Sequence, residues 1–216
     1  FLLGRSLSME GPGGAAEAVQ ALNKSLDLDA ASPDAVKVLL LLGKVYRMQG
    51  LQEFAQECAE KAIAIDPANM SVKLAVIVAK VNNGDVAGAA ADLDALGALP
   101  PEAAAGFAKV LGEAVDDYQA SHAWYPDTAD NHLAYARVLF RAGKVETSLL
   151  AAERAASLTP DSYVAWNLIG ALSNQLGDKA KAVKAYQRSL EINADQPRTL
   201  EALEALGRAN ETATAE

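Results

Sequence analysis

The sequence predicts an all-α chain in which antiparallel helix pairs stack as a solenoid, and three observations lead there. Glycines in matching contexts recur 34 residues apart, Gly50 with Gly84 and Gly143 with Gly177. Prolines keep the same interval, Pro67 with Pro101 and Pro126 with Pro160. The 216 residues include 46 alanines, the strongest helix former, and few β-branched clusters. A fixed interval of this size is the mark of a repeat architecture, in which each unit buries its apolar face against the next.

The chain opens with Phe1-Leu2-Leu3-Gly4 and no methionine, so its natural start is expected upstream. Phe1–Glu10 reads as the first helix of a repeat that has lost its opening turn, followed by the turn Gly11-Pro12-Gly13-Gly14. From Gly11 to Gly50 is 39 residues, five more than the period. Two extra residues in that turn and three in the linker Ala31-Ser32-Pro33 account for the surplus. The second pair carries Leu39, Leu42 and Tyr46 at helical spacing, turns at Gly50 and closes at Ile63-Ala64-Ile65-Asp66-Pro67. The third pair turns at Gly84 and closes before Pro101.

The register then breaks. From Pro101 to Pro126 is 25 residues, nine short of the period, with no turn glycine phrase between. Pro100-Pro101 starts a new element because neither can stand in a helix interior. From Glu102 to Trp124 the apolar residues Phe107, Val110, Leu111, Ala114, Val115 and Tyr118 recur at three- and four-residue steps. One long irregular helix is the simplest reading; a shortened pair bending at Leu111-Gly112-Glu113 is the alternative. Two further pairs turn at Gly143 and Gly177. Pro197–Ala209 reads as a capping helix with Leu200, Leu203 and Leu206 on its apolar face, and Glu211–Glu216 as a frayed tail. The expected organisation is a repeat segment over 1–99, a joining helix over 100–126, two repeats over 127–194, and the cap and tail over 195–216.

A 34-residue helix–turn–helix unit closing with proline resembles the tetratricopeptide repeat (TPR). The second repeat carries that pattern as Leu39, Leu42-Gly43, Tyr46, Gly50, Ala55, Ala59, Ala62 and Pro67. The last complete repeat carries it as Trp166, Ile169-Gly170, Gly177, Ala182, Tyr186 and Ser189, with Ala194 where proline would stand. Gly84, Ala89, Leu93, Leu96 and Pro101 mark the third. Tyr135-Ala136, Gly143, Ser148, Ala152, Ala155 and Pro160 mark the fifth. The resemblance implies a right-handed α-solenoid: small residues let paired helices approach, and large ones fill the space between pairs.

Composition narrows the function. Twenty-eight acidic against 19 basic side chains give a net charge of −9, which argues against nucleic acid as a partner. The longest apolar runs, such as Val38–Leu42, fall far short of the ~18 residues a membrane-spanning helix needs. The single Cys58 excludes a disulfide framework, and with only His122 and His132 there is little material for a metal or haem site. His132 occupies the repeat position of Trp166 and reads as a partly buried spacer; Cys58 reads as a small buried hydrophobe. No phosphate loop, nucleophile elbow or metalloprotease motif occurs. A non-catalytic chain without cofactor is expected.

What remains is surface. In TPR arrays the first helices line a concave groove, and the resemblance places there Arg5, Lys44, Arg47, Arg137, Phe140, Arg141, Asn167, Asn174 and Gln175. Five of the nine are basic, which suits an extended or helical peptide carrying carboxylates. Arg137 and Arg141, one turn apart, are expected to meet one acidic group, with Asn167 and Asn174 on the ligand backbone; the convex side is the alternative face. The family's clamp for chaperone C-termini is not matched, because Ala75 and Val78 follow Lys44 in the next repeat. The expected function is an interaction scaffold for a protein or peptide partner, within a larger chain or complex. Alternatives are a docking segment of a larger enzyme or multihaem cytochrome, or a structural subunit of an assembly. The alanine richness points to a bacterial source, with the cell envelope as the expected compartment.

Overall fold

The computed structural model describes residues 15–28, 33–121 and 127–213. Among these residues the chain forms eleven helices and no strand. It divides into two compact units between Ser121 and His122.

The first unit contains α1 (Ala15–Leu28), α2 (Pro33–Met48), α3 (Gln52–Ile65), α4 (Met70–Asn82), α5 (Val86–Leu96) and α6 (Pro101–Ser121). Neighbours from α1 to α5 pack in chain order, and α6 packs on α4. Its core joins Ala18 and Leu22 of α1, Val38, Leu39 and Leu42 of α2, Cys58 and Ala62 of α3, and Val72 of α4. Leu22 and Leu42 are essentially inaccessible to water, and each contributes about 1.5–3 kcal/mol by leaving it. The second unit contains α7 (Ala129–Arg141), α8 (Val145–Leu158), α9 (Tyr163–Gln175), α10 (Lys179–Ile192) and α11 (Pro197–Ala213), again packed in chain order.

The 34-residue interval reappears in the backbone hydrogen bonds. Leu51 N donates to Tyr46 O, Asp85 N to Lys80 O, Lys144 N to Leu139 O, and Asp178 N to Ser173 O, all at 2.9 Å. These bonds close the first helix of each pair, and they require a left-handed residue just inside them. Gly50, Gly84, Gly143 and Gly177 supply it with φ between 74° and 83°. The second helices of two pairs begin on aspartate caps, Asp85 accepting from Gly88 N and Asp178 from Lys181 N. Asn69, Thr128 and Ser162 cap α4, α7 and α9 in the same way.

The joining segment is one helix. α6 runs unbroken for 21 residues and buries Phe107, Leu111, Ala114 and Val115 on one face, so the shortened pair is not formed. Three expectations fall elsewhere. The first helix with its turn, Ala31 and Ser32 of the linker, and the end of the joining helix with His122 and Trp124 lie outside the described residues, while the linker's Pro33 opens α2. α5 ends early, at Gly97 with φ 70°, leaving 11 residues where α3 has 14. The cap α11 is rotated from the predicted face: Leu206 is buried and Leu203 half-buried, but Leu200 is 44% exposed and Thr199 takes the inward place.

The rotation has a polar cause. Thr199 Oγ1 donates to Asn167 Oδ1 at 2.8 Å, and Asn167 Nδ2 donates to Gln196 Oε1. The buried Gln196 also donates through Nε2 to Ser189 O at 2.9 Å, while Ser189 Oγ donates to Tyr163 O at 2.8 Å. This network ties α11 to α9 and α10 next to Ala194, where the repeat pattern lacks its proline. Turning Leu200 inward would carry Thr199 away and leave Asn167 Oδ1, in a part-buried site, without its donor, at about 1–3 kcal/mol.

Candidate functional site

In the first unit, α2, α3 and α4 leave an open cleft of about 420 Å³. Its walls include Lys44 and Arg47 from α2, and Ala75, Val78, Ala79 and Asn82 from α4. Lys44 is exposed and Arg47 half-buried, so their cationic heads stand beside an apolar strip made by the α4 side chains. The helical period explains the grouping. Lys44 and Arg47 lie one turn apart, as do Ala75, Val78 and Asn82, and small residues at 55 and 59 let the helices approach closely.

Asn82 is the residue that sequence reading missed. It is 8% exposed, and neither atom of its side-chain amide has a hydrogen-bond partner among the described residues. An unpaired buried amide costs about 1–3 kcal/mol per group. The signal was present: Asn82 holds the thirteenth position of its repeat, as Met48, Arg141 and Gln175 do in theirs.

The second unit holds the other expected residues. Phe140 is 37% exposed on α7, and Asn174 and Gln175 are exposed at the end of α9. Arg137 and Arg141 are half-buried on α7, and each already has a partner within the chain. Asn167 bonds Gln196 through Nδ2 and Thr199 through Oδ1, which ties it to the cap. Arg5 lies outside the described residues. Lys44 and Arg47 therefore belong to one unit, and Arg137, Phe140, Arg141, Asn167, Asn174 and Gln175 to the other.

Titratable groups are few in these surroundings. His132 Nε2 lies 2.8 Å from Asp127 Oδ1, and Arg154 Nε donates to the same oxygen at 3.0 Å. The hydrogen bonds from Arg154 and then His132 hold the Asp127 carboxyl down at about 2. This cluster ties the start of α7 to α8, which a spacer reading of His132 did not include. Cys58 is 5% exposed, and burial pushes its thiol up to about 11; it is neither acidic nor accessible enough to act as a nucleophile. Among the described residues no group of His, Cys, Asp and Glu could hold a metal ion, and no helix is long and apolar enough to cross a membrane.

Residues 36–69 and 163–196 each match the family model of the tetratricopeptide repeat. The chain carries a tetratricopeptide repeat at each of these two places. In TPR terms these matches begin with α2 and α9, so Lys44 and Arg47 hold the ninth and twelfth positions of the first matched repeat. No curated protein matches the chain in sequence. Among solved structures it is similar to MamA, with 22% identity over 84% of this chain and 90% of that chain, TM-score 0.36. It is also similar to YrrB, described as a TPR protein with an unusual peptide-binding site, with 16% identity over 93% and 88%, TM-score 0.40. A thermophilic TPR protein in Thermus thermophilus shares 17% identity over 94% and 95%, TM-score 0.41. TPR proteins in general are non-catalytic repeat scaffolds that bind other proteins.

Proposed function

We propose that the cleft between α2, α3 and α4 binds a peptide segment of a protein partner, with an acidic side chain or terminus placed near Lys44 and Arg47. The observation that carries the reading is the unpaired Asn82 amide in the wall of that cleft. Once the Asn82 side chain turns into the cleft, its oxygen and nitrogen suit the N–H and C=O of an extended backbone, and Ala75 and Val78 offer an apolar seat for the side chain between. Lys44 and Arg47 supply charge-assisted bonds to a carboxylate. Two cations and one amide select for an acidic, extended segment, in keeping with an interaction scaffold.

The test is a selection of displayed random peptides on the parent chain, repeated on Lys44→Ala/Arg47→Ala and on Asn82→Leu. The parent is expected to enrich sequences with Asp or Glu next to a small apolar residue, and both variants to lose that enrichment. Asn82→Leu should keep or raise the melting temperature, because it removes an unpaired buried amide. Equal enrichment on the parent and both variants would refute the reading.

A further inference from the structure

The second unit carries a larger cleft that the repeat reading does not use. It is an open cleft of about 1130 Å³ between α8 and α10, lined also by α9. Two of its walls are second helices, and none of its lining comes from α7, which carries Arg137 and Arg141. Its apolar lining is Ala156 from α8, Trp166 and Ile169 from α9, and Ala185 from α10. Trp166 forms the floor without leaving a polar need, because its Nε1–H donates to Pro160 O at 2.9 Å. An incoming apolar group can therefore cover the ring without stranding a donor.

The walls are unequally charged. Lys181, Lys184 and Arg188 all come from α10, and their spacing of three and four residues puts them on one edge. The opposite wall has one carboxylate, Glu153, which Lys181 neutralises across the cleft at 2.5 Å. Arg188 holds only a surface pair with Glu191, and Lys184 has no ion-pair partner among the described residues. An exposed basic edge over an apolar floor stands out in a chain of net charge −9. On α8, Leu150 lies three residues before Glu153 with 67% of its surface in water.

The geometry points to this cleft as a docking groove for a short acidic amphipathic helix of a protein partner. A groove walled by two helices and floored by a third accepts another helix along its length. The apolar stripe of that helix sits on the half-buried Trp166, which rests beside the buried Ile169 and the two buried alanines. Its carboxylates, one turn apart, face Lys184 and Arg188. Alanine at 156 and 185 is what gives the groove its depth, since larger side chains there would fill it.

The test uses three synthetic helices of one length: a leucine-striped helix with glutamates beside the stripe, its lysine counterpart, and a glutamate helix with alanine in the stripe. Binding to the Trp124→Phe chain is read by the emission of Trp166, then its one tryptophan. Only the leucine–glutamate helix is expected to bind and shift that emission. Lys184→Glu/Arg188→Glu should weaken it by about tenfold or more while leaving the melting temperature unchanged, since both side chains are exposed. Ala185→Leu should weaken it by occupying the floor, and Lys44→Ala/Arg47→Ala should leave it unaltered. Failure of the leucine–glutamate helix to bind, equal binding of the lysine helix, or indifference to Lys184→Glu/Arg188→Glu would overturn the proposal. Loss through Lys44→Ala/Arg47→Ala alone would assign the helix to the first unit and overturn it too.

Discussion

Glycine stands at the same repeat position in both matched TPRs, as Gly43 and Gly170, yet the two sites tolerate a methyl group very differently. A Cβ on Gly170 would lie 2.6 Å from Cδ1 and Cε1 of the Tyr186 ring and 2.9 Å from Cζ. A contact of 3.4 Å is the near edge of ordinary packing, so the ring or the helix must move by about 0.8 Å. Tyr186 is 7% exposed and wedged between α9 and α10, against Ala182 and Leu206. It has no free space to swing into. A forced fit of this kind costs about 1–3 kcal/mol or more, against about 1 kcal/mol gained from alanine's better helix propensity. Three ring atoms clash at once, so the cost lies in the upper part of that range, about 2–3 kcal/mol, and Gly170→Ala is expected to destabilise the second unit by about 1–2 kcal/mol net. At about 4–8 °C per kcal/mol for a unit of this size, the melting temperature should fall by about 4–16 °C. At Gly43 the same Cβ would meet Ala55 O and Cys58 Cβ at 3.4 Å, so Gly43→Ala should be near neutral or slightly stabilising. Calorimetry of the two variants and of Gly170→Ala/Tyr186→Leu decides the matter. The double variant should recover part of the loss, since the two residues share one space. Equal stability of Gly170→Ala and the parent, or a larger loss at Gly43, would refute the reasoning.

Three further outcomes follow from the structure. Gln196→Ala should cost about 1–3 kcal/mol by leaving Ser189 and Asn167 short of partners, and amide exchange across α11 should accelerate more than across α9; equal acceleration of both helices would contradict the lock. The Asp127 carboxyl ionises at about 2 in the fold against an ordinary 3.8, so the folded state holds its proton less tightly. The stability it contributes is complete above pH 4 and is lost as pH falls toward 2. The melting-temperature difference between the parent and Asp127→Asn should therefore shrink over that window, and a constant difference would count against the cluster. The Cys58 thiol, buried and raised to about 11, should react with a thiol reagent only at the rate of unfolding; rapid labelling of the native chain would show that it is accessible.

Much of this architecture was readable in the chain because its signals are local. A left-handed glycine and the bond across it span six residues, so Gly50, Gly84, Gly143 and Gly177 announce their turns wherever the rest of the chain lies. The single helix over Pro101–Ser121 follows likewise from its own apolar period. The cap misled the reading for the opposite reason. Leu200 looks apolar and inward, but Thr199 meets Asn167 32 residues away in sequence, and a hydrophobic pattern does not encode where a distant amide will be. Asn167 itself reads as a groove residue until α11 is in place.

The sequence by itself determined the helices, their 34-residue period and the pairing of neighbours, since backbone conformation and apolar spacing are set within one or two turns. It also placed Lys44 and Arg47 on one face of one helix. The tertiary structure alone decided that Asn82 is buried without a partner, that Asp127 joins His132 to Arg154, and that alanines at 156 and 185 leave space above Trp166. Each of these depends on how closely separate helices approach. That distance is settled by the packing of side chains brought together from tens of residues apart, where a difference of one ångström separates a filled contact from an open cleft.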